Sequence, residues 1–141
     1  MRILLLNGPN LGSLGRRQPE VYGTTTLAEI EEACRAHALE RGALLEAFQS
    51  NHEGALIDRL ERSDYDAVIC NFGALSHTSY ALHDALVTAE RPAVEVHISD
   101  IRSRERWRRT SVTAPATRHQ VIGRGWRGYL DAIDRLLEDS S

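Results

Sequence analysis

The chain has 141 residues, of which 42% are hydrophobic and 26% charged, and its net charge is -3. This length predicts a single domain over residues 1–141. The composition is that of a globular protein of the cytoplasm, without an apolar run long enough to cross a membrane. The negative charge disfavours a general nucleic-acid binder. All 17 basic residues are arginine, which excludes imine chemistry on a lysine and a phosphate-loop lysine.

Five short apolar runs alternate with segments of helical periodicity along the chain. The runs cover residues 3–6, 44–48, 67–70, 93–96 and 121–122. This alternation is typical of βα units built on a parallel sheet. Five strands with about five helices predict the α/β class, as a flavodoxin-like three-layer sandwich around a five-stranded parallel sheet.

Several helix starts are indicated by the sequence. Residues 26–29 and 50–53 each have the spacing of a capping box, so each is expected to open a helix. Another helix is predicted after Ser76, and the last from about Gly125 or Trp126. The residues expected to face the core are Leu27, Ile30 and Cys34 in the first helix, Ala81, Ala85 and Ala89 in the one after Ser76, and Leu130, Ile133 and Leu137 in the last.

The segment NGPNLGSLGRRQPEVYG, residues 7–23, follows the first strand and is long for a connection of this kind, so we expect a functional or mobile loop. It contains two adjacent arginines and Tyr22. A tyrosine acts as a general base near neutral pH only where its anion is stabilised, and a close guanidinium provides that stabilisation. Tyr22 is therefore a candidate base, and packing of the loop is the alternative role for its ring.

Polar residues also follow the third and fourth strands, at the edge where doubly wound sheets bind ligands. After Asn71, Ser76 and His77 are expected to begin a helix whose first amides hold a carboxylate, with a simple cap at Ser76 as the alternative. Glu95 and His97 share one side of the fourth strand, where the carboxylate favours a protonated imidazole that can act as a general acid. No third ligand accompanies the two histidines, so no metal site is predicted.

The run RSRERWRR, residues 102–109, is strongly basic. It fits a solvated turn or a clamp for an anion. In the second case Arg104 and Arg108, four residues apart on one face of a helix, would hold a substrate carboxylate. Nucleic-acid binding through this run is disfavoured, because Trp107 is its single aromatic residue.

Four motifs occur in order over about the first 110 residues: NGPNLGSLGRRQPEVYG, FQSNHEGALIDRL, CNFGALSHTSYALHDAL and VEVHIS. In sequence and spacing they closely resemble those of type II 3-dehydroquinate dehydratase, which converts 3-dehydroquinate to 3-dehydroshikimate. The resemblance implies a hydro-lyase of the shikimate pathway or of quinate breakdown, with a flavodoxin-like fold and with no cofactor or metal. It also implies a homo-oligomer, a dodecamer of four trimers, that binds a small-molecule substrate and neither nucleic acid nor membrane.

The resemblance further implies roles for individual residues. Tyr22 would remove the proton alpha to the ketone, with Arg17 favouring its anion. His97 would protonate the departing hydroxyl in an anti elimination, with Glu95 orienting and charging it. Asn10 would hold a water against the enolate oxygen. The residues implied to bind substrate are Asn71, His77, Ile98, Ser99 and Arg108, together with Asp84 from a neighbouring subunit.

The chain departs from the family pattern at Phe72, Asp100 and Arg102, and the resemblance weakens after Ser111. Asp100 and Arg102 adjoin the acid, so we expect an influence on the acid or on the fit of the substrate. The altered tail is expected to affect packing or assembly more than chemistry. A non-catalytic paralogue that binds a related cyclic carboxylate is the main alternative function, and a flavodoxin-like nucleotide binder is a weaker one.

Overall fold

The computed structural model describes residues 1–140 and contains a five-stranded sheet in which every strand pair is parallel. The strands are β1 (Arg2–Asn7), β2 (Leu44–Gln49), β3 (Ala67–Asn71), β4 (Ala93–His97) and β5 (His119–Ile122). Their order is β2-β1-β3-β4-β5. The predicted α/β, flavodoxin-like fold class is confirmed. The strand order reverses at β1 and β3, so a crevice is expected beyond the carboxyl ends of these two strands.

Helices cover both faces of the sheet. They are α1 (Pro19–Tyr22), α2 (Leu27–Glu40), α3 (Glu53–Glu61), α4 (Tyr80–Ala89) and α5 (Gly128–Asp139). Because side chains alternate along a strand, β1 directs Ile3 and Leu5 toward α2 and α5, and Leu4 and Leu6 toward α3 and α4. The chain thus has two core layers, one on each side of the sheet. Within residues 1–140, no helix is long and apolar enough to span a bilayer.

The two predicted capping boxes have different outcomes. The box at residues 26–29 is present at the start of α2, but the one predicted at residues 50–53 is wrong. α3 begins only at Glu53 and has no side-chain cap. Glu53 Oε2 accepts a hydrogen bond from Ser79 Oγ at 2.5 Å, so the carboxylate that would close the box contacts the start of α4 instead.

The helix predicted after Ser76 begins later than expected. Gly73–His77 forms a 3-10 turn in which Ser76 Oγ donates to the carbonyl of Gly73 at 2.7 Å. α4 starts at Tyr80, with the side chain of Ser79 as its cap. His77 therefore lies in a tight turn, and the prediction that it stands in the first turn of a helix is wrong.

Helix α4 buries a different face from the one predicted, whereas the buried face of α5 includes the predicted Ile133. In α4 the core residues are Leu82 and Leu86, while Ala85 and Ala89 are half-buried and Ala81 is exposed. In α5 the buried side chains include Tyr129, Ala132, Ile133 and Leu136, with Leu130 and Leu137 half-buried. The half-buried side chains of Ala85, Ala89, Leu130 and Leu137 nonetheless pack against the core.

Candidate active site

The loops after β1 and β3 meet at the carboxyl edge of the sheet because two glycines allow close approach. A Cβ atom on Gly8 would lie 2.5 Å from the carbonyl oxygen of Phe72, and one on Gly73 would lie 2.9 Å from that of Pro9. Gly73 also has a φ of +60°, a conformation that side chains disfavour. The amide of Gly8 donates to the carbonyl of Asn71 at 2.8 Å. The polar ends of β1 and β3 thus form one wall of a pocket.

This pocket brings together most of the predicted site residues. They are Asn10, Arg17, Tyr22, Asn71, His77, His97, Ile98, Ser99 and Arg108. Arg104 also lines the pocket. The free volume is about 40 Å³, enough for a few water molecules. In this conformation the pocket is therefore too narrow for a ligand the size of a six-membered ring.

Tyr22 lies at the end of α1, inside the loop after β1, and two arginines contact it. Arg104 Nη1 donates a hydrogen bond to the Tyr22 hydroxyl oxygen at 2.6 Å. The guanidinium carbon of Arg17 is 4.9 Å from the centroid of the Tyr22 ring, and that of Arg104 is 5.3 Å from it. The hydroxyl oxygen of Tyr22 thus accepts from a cationic donor, and two guanidinium groups lie beside its ring. An arginine does reach the phenol oxygen, but it is Arg104 and not Arg17.

Arg104 reaches Tyr22 because the basic segment is not one helix. Ile101–Ser103 and Arg106–Arg108 form two separate 3-10 turns, and the backbone of Arg104 between them is extended, with φ -100° and ψ -165°. The side chain of Arg104 is turned inward and is 14% exposed. Its Nη1 also lies 3.3 Å from Ser99 Oγ. The predicted helical clamp is therefore wrong in its backbone, although both of its arginines line the pocket.

Glu95 and His97 form a buried pair at the end of β4. His97 Nε2 is 2.9 Å from Glu95 Oε2. His97 is 5% exposed and Glu95 is 0% exposed. Burial raises the pKa of Glu95, but the hydrogen bond and charge of His97, with bonds from Thr113 and Ser111, outweigh it and leave that pKa lowered. The carboxylate is thus ionised and accepts the Nε2 proton. The other ring nitrogen of His97, Nδ1, is therefore the one available to contact a ligand in the pocket.

His77 lies against His97 across the pocket wall. The two rings stack with centroids 6.1 Å apart, and His77 Nδ1 is 2.8 Å from the carbonyl oxygen of Thr110. Burial lowers the pKa of His77, and the charges of His97 and Arg108 act in the same direction, so the net shift is downward despite the bond to Thr110. A neutral His77 that donates from Nδ1 has Nε2 available as an acceptor for a ligand hydroxyl.

Asn71 is fixed from below by a buried tyrosine. The Tyr129 hydroxyl accepts from Asn71 Nδ2 at 2.9 Å and donates to Asn7 Oδ1 at 2.6 Å. Asn71 Oδ1 accepts from the amide of Gly73 at 3.1 Å. Burial raises the pKa of Tyr129 well above its usual value, so Tyr129 remains a neutral donor. Asn71 is therefore held in one orientation at the base of the pocket.

Two predicted site residues do not line the pocket of this chain. Glu95 lies behind His97 and is hydrogen-bonded to it, so it can influence the pocket only through His97. Asp84 is on α4, with its side chain 80% exposed, and is 3.1 Å from His83 Nδ1. It borders a cleft between α3 and α4. Within a single chain, Asp84 and the pocket therefore belong to different surfaces.

The three departures from the family pattern lie outside the pocket. Phe72 is fully buried in the core beside α3 and α4. Asp100 Oδ1 accepts from the amide of Arg102 at 3.1 Å and so caps the first 3-10 turn after β4. The side chain of Arg102 lines a separate surface depression with His119 and Arg124. Among residues 1–140, no group of three potential metal ligands is close enough to hold an ion.

The fold and the pocket define a flavodoxin-like α/β protein with titratable side chains gathered at the carboxyl edge of its sheet. The chain belongs to the class II dehydroquinase family, since the family model Dehydroquinase class II matches residues 1–137. It is 50% identical over 140 residues to the 3-dehydroquinate dehydratase of Anoxybacillus flavithermus, covering 98% of this chain and 95% of that one. It is 46% identical over 136 residues to the catabolic 3-dehydroquinase 1 of Neosartorya fischeri, covering 95% and 91%.

Comparison with solved structures supports the same family assignment. The crystal structure of type II dehydroquinase from Butyrivibrio crossotus matches with a TM-score of 0.94 at 39% identity, covering 98% of this chain and 97% of that chain. The family match also extends far beyond Ser111, to residue 137.

Sequence analysis missed several contacts that shape the site. The basic run 102–109 indicated Arg104 as a candidate, but as a ligand for a substrate carboxylate and not as a partner of Tyr22. Tyr129 gave no signal, because its two partners are 58 and 122 residues away along the chain. The residues that contact Glu95 from beyond β4 were missed for the same reason.

Proposed function

We propose that this chain is a type II 3-dehydroquinate dehydratase, which removes water from 3-dehydroquinate to give 3-dehydroshikimate through an enolate. One observation carries the proposal. A single pocket contains a tyrosine hydrogen-bonded to an arginine and a histidine hydrogen-bonded to a buried glutamate. The names of the relatives support it, and they include both a general and a catabolic form. The reaction serves either the shikimate pathway or quinate breakdown.

The first step is removal of the proton alpha to the ketone. The Tyr22 phenolate, stabilised by the hydrogen bond from Arg104, accepts this proton, and the electron pair of the C–H bond forms the enolate. Arg17 lies over the same ring and also favours the anion. Asn10, which lines the pocket from the β1 loop, holds a water against the enolate oxygen and so stabilises the intermediate.

The second step is loss of the hydroxyl group from the opposite face. His97 donates its Nδ1 proton to the departing oxygen, which leaves as water while the enolate electrons form the carbon–carbon double bond of the enone. Glu95 holds the Nε2 proton, so that neutral His97 remains in one tautomer after the transfer. Proton exchange with solvent then restores the Tyr22 anion and the His97 cation. Because the side chains named above supply the base and the acid for both steps, the proposed mechanism uses no cofactor or metal.

Substrate binding is assigned to the remaining side chains of the pocket. The carboxylate of the substrate fits Arg108 and the amide of Ile98, and its hydroxyls fit Asn71, His77 and Ser99. Arg108 is oriented by Glu105, with its Nε 2.5 Å from Glu105 Oε2.

The test of the proposed function is the absorbance of the conjugated enone after 3-dehydroquinate is added to the purified protein. We expect turnover without added metal and in the presence of a chelator. Folded protein that binds a cyclohexane carboxylate in a thermal-shift assay but forms no enone would support the non-catalytic paralogue instead. Folded protein without either response would refute both functions.

We further propose that the domain formed by residues 1–141 assembles into trimers, and four trimers into a dodecamer. The surface around Asp84 supports an interface. Tyr80 and Val87 on α4 are 70% and 55% exposed, and the cleft between α3 and α4 is lined largely by apolar side chains. In this assembly Asp84 of one subunit completes the pocket of its neighbour.

Subunit mixing tests the proposed role of Asp84. We expect Asp84→Ala and Tyr22→Phe each to be nearly inactive, and their 1:1 mixture, unfolded and refolded together, to recover about a quarter of wild-type activity. About one site in four then combines an intact Tyr22 with an intact Asp84 from its neighbour. The measurement is enone formation, with each variant refolded alone as the control. A mixture no more active than its components would show that Asp84 does not act across subunits.

A further inference from the structure

The Glu95 carboxylate accepts more hydrogen bonds than its pairing with His97 requires. Ser111 Oγ donates to Glu95 Oε2 at 2.7 Å, and Gln120 Nε2 donates to the same oxygen at 2.9 Å. Thr113 Oγ1 donates to the other oxygen, Oε1. With His97, four side chains therefore contact a carboxylate that has no exposed surface.

The three additional donors come from separate places in the chain. Ser111 and Thr113 lie in the connection between β4 and β5, where their hydroxyl oxygens are 3.2 Å apart. Gln120 is on β5, directly opposite Glu95 in the strand register. It is an exposed residue whose amide nonetheless reaches the buried carboxylate. Three neutral donors thus stabilise the charge of Glu95, two at the oxygen that His97 also contacts and one at the other oxygen.

The location of one proton depends on this stabilisation. The Glu95–His97 pair can hold its shared proton on the imidazole, as carboxylate and imidazolium, or on the carboxyl, as acid and neutral imidazole. A neutral imidazole is a far weaker acid than an imidazolium. Donors to Glu95 favour the carboxylate, whereas burial without donors favours the protonated carboxyl.

We propose that Ser111, Thr113 and Gln120 are positioning residues for catalysis, which fix the Glu95 carboxylate and keep the proton of the pair on His97. This inference rests on the proposed dehydratase function. None of the three contacts the pocket, so they act through Glu95 and not on the substrate. Gln120 is the best residue to alter, because its exposure allows substitution without disturbing the core.

The test compares Gln120→Met and Thr113→Val, singly and combined, with Arg118→Met as a control at an exposed position just before β5. We expect each single variant to lower kcat about tenfold and the double variant about a hundredfold, with KM nearly unchanged. The control should match wild type. A higher KM with unchanged kcat would contradict a role that acts through the general acid.

Nitrogen NMR of the His97 ring provides a readout that does not require turnover. Without the Gln120 donor, the Glu95 carboxylate becomes more basic. We then expect the Glu95–His97 pair to lose its shared proton at a higher pH than in wild type. Below that pH, the His97 ring should show more of the neutral form, because more of the shared proton resides on Glu95. The titratable or charged groups facing the pair are Cys70 on β3, His77 after β3 and Arg108 after β4. The substitutions leave these three groups in place.

The combined results separate the inference from the proposed function. Lower kcat with an altered His97 titration supports the inference. Unchanged kcat and titration, or lower kcat with a normal titration and reduced Tm, overturns it, because the second pattern indicates a structural role. Wild-type protein without turnover would refute the proposed dehydratase, and the NMR comparison would still decide whether the three donors control the His97 proton.

Discussion

Replacing Tyr22 with phenylalanine is expected to reduce kcat by about 10³-fold while leaving ligand affinity within a few-fold of wild type. The substitution removes one oxygen atom. That oxygen accepts the hydrogen bond from Arg104 and is the atom proposed to take the substrate proton. The phenyl ring keeps its place beside Arg17, whose guanidinium lies 4.9 Å from the ring centroid. The measurements are enone formation and calorimetric binding of a substrate analogue.

The control is Arg118→Met, a substitution at an exposed position just before β5. We expect wild-type kcat and Tm for this variant. If Tyr22→Phe retained more than about a tenth of wild-type kcat, another group would have to be the base. If it lost activity together with Tm and binding, the main role of Tyr22 would be packing of the loop.

The fold could be predicted from sequence because its signals are local. Each apolar run is short, and the intervening segments have helical periodicity, so strands and helices follow from residues within a few positions of one another. Strand alternation likewise placed Glu95 and His97 on one side of β4, where they form the 2.9 Å pair. The meeting of the β1, β3 and β4 loops follows from the general rule for parallel sheets.

The incorrect predictions concern competition between distant parts of the chain. Residues 50–53 have the sequence of a capping box, but Glu53 is bound by Ser79. Local spacing could not reveal this, because the two residues meet only when α3 and α4 pack together. Tyr129 and Gln120 were missed for the same physical reason, since their partners lie on other strands.

The spacing of Arg104 and Arg108 was interpreted under the assumption of a continuous helix, and the extended backbone at Arg104 removes that assumption. This changes which residue is expected to support the base. The family resemblance assigned the support of Tyr22 to Arg17. The structure adds a donor at the phenol oxygen itself, from a segment about 80 residues further along the chain.

Arg104→Gln is therefore expected to lower kcat by about 10²-fold, and Arg17→Gln by about tenfold. Arg104 Nη1 is 2.6 Å from the Tyr22 oxygen, where the phenolate charge is greatest, whereas Arg17 contacts the ring face. The measurement is kcat for both variants, with Arg118→Met as the control.

The opposite ranking would be equally informative. The free volume of the pocket is about 40 Å³, so in this conformation the pocket is too narrow for a substrate the size of a six-membered ring. If Arg17→Gln lost more activity than Arg104→Gln, the substrate complex would place Arg17 at the phenol oxygen and Arg104 elsewhere. Equal losses that add in the double variant would indicate that the two guanidinium groups support the phenolate independently, one at the oxygen and one at the ring.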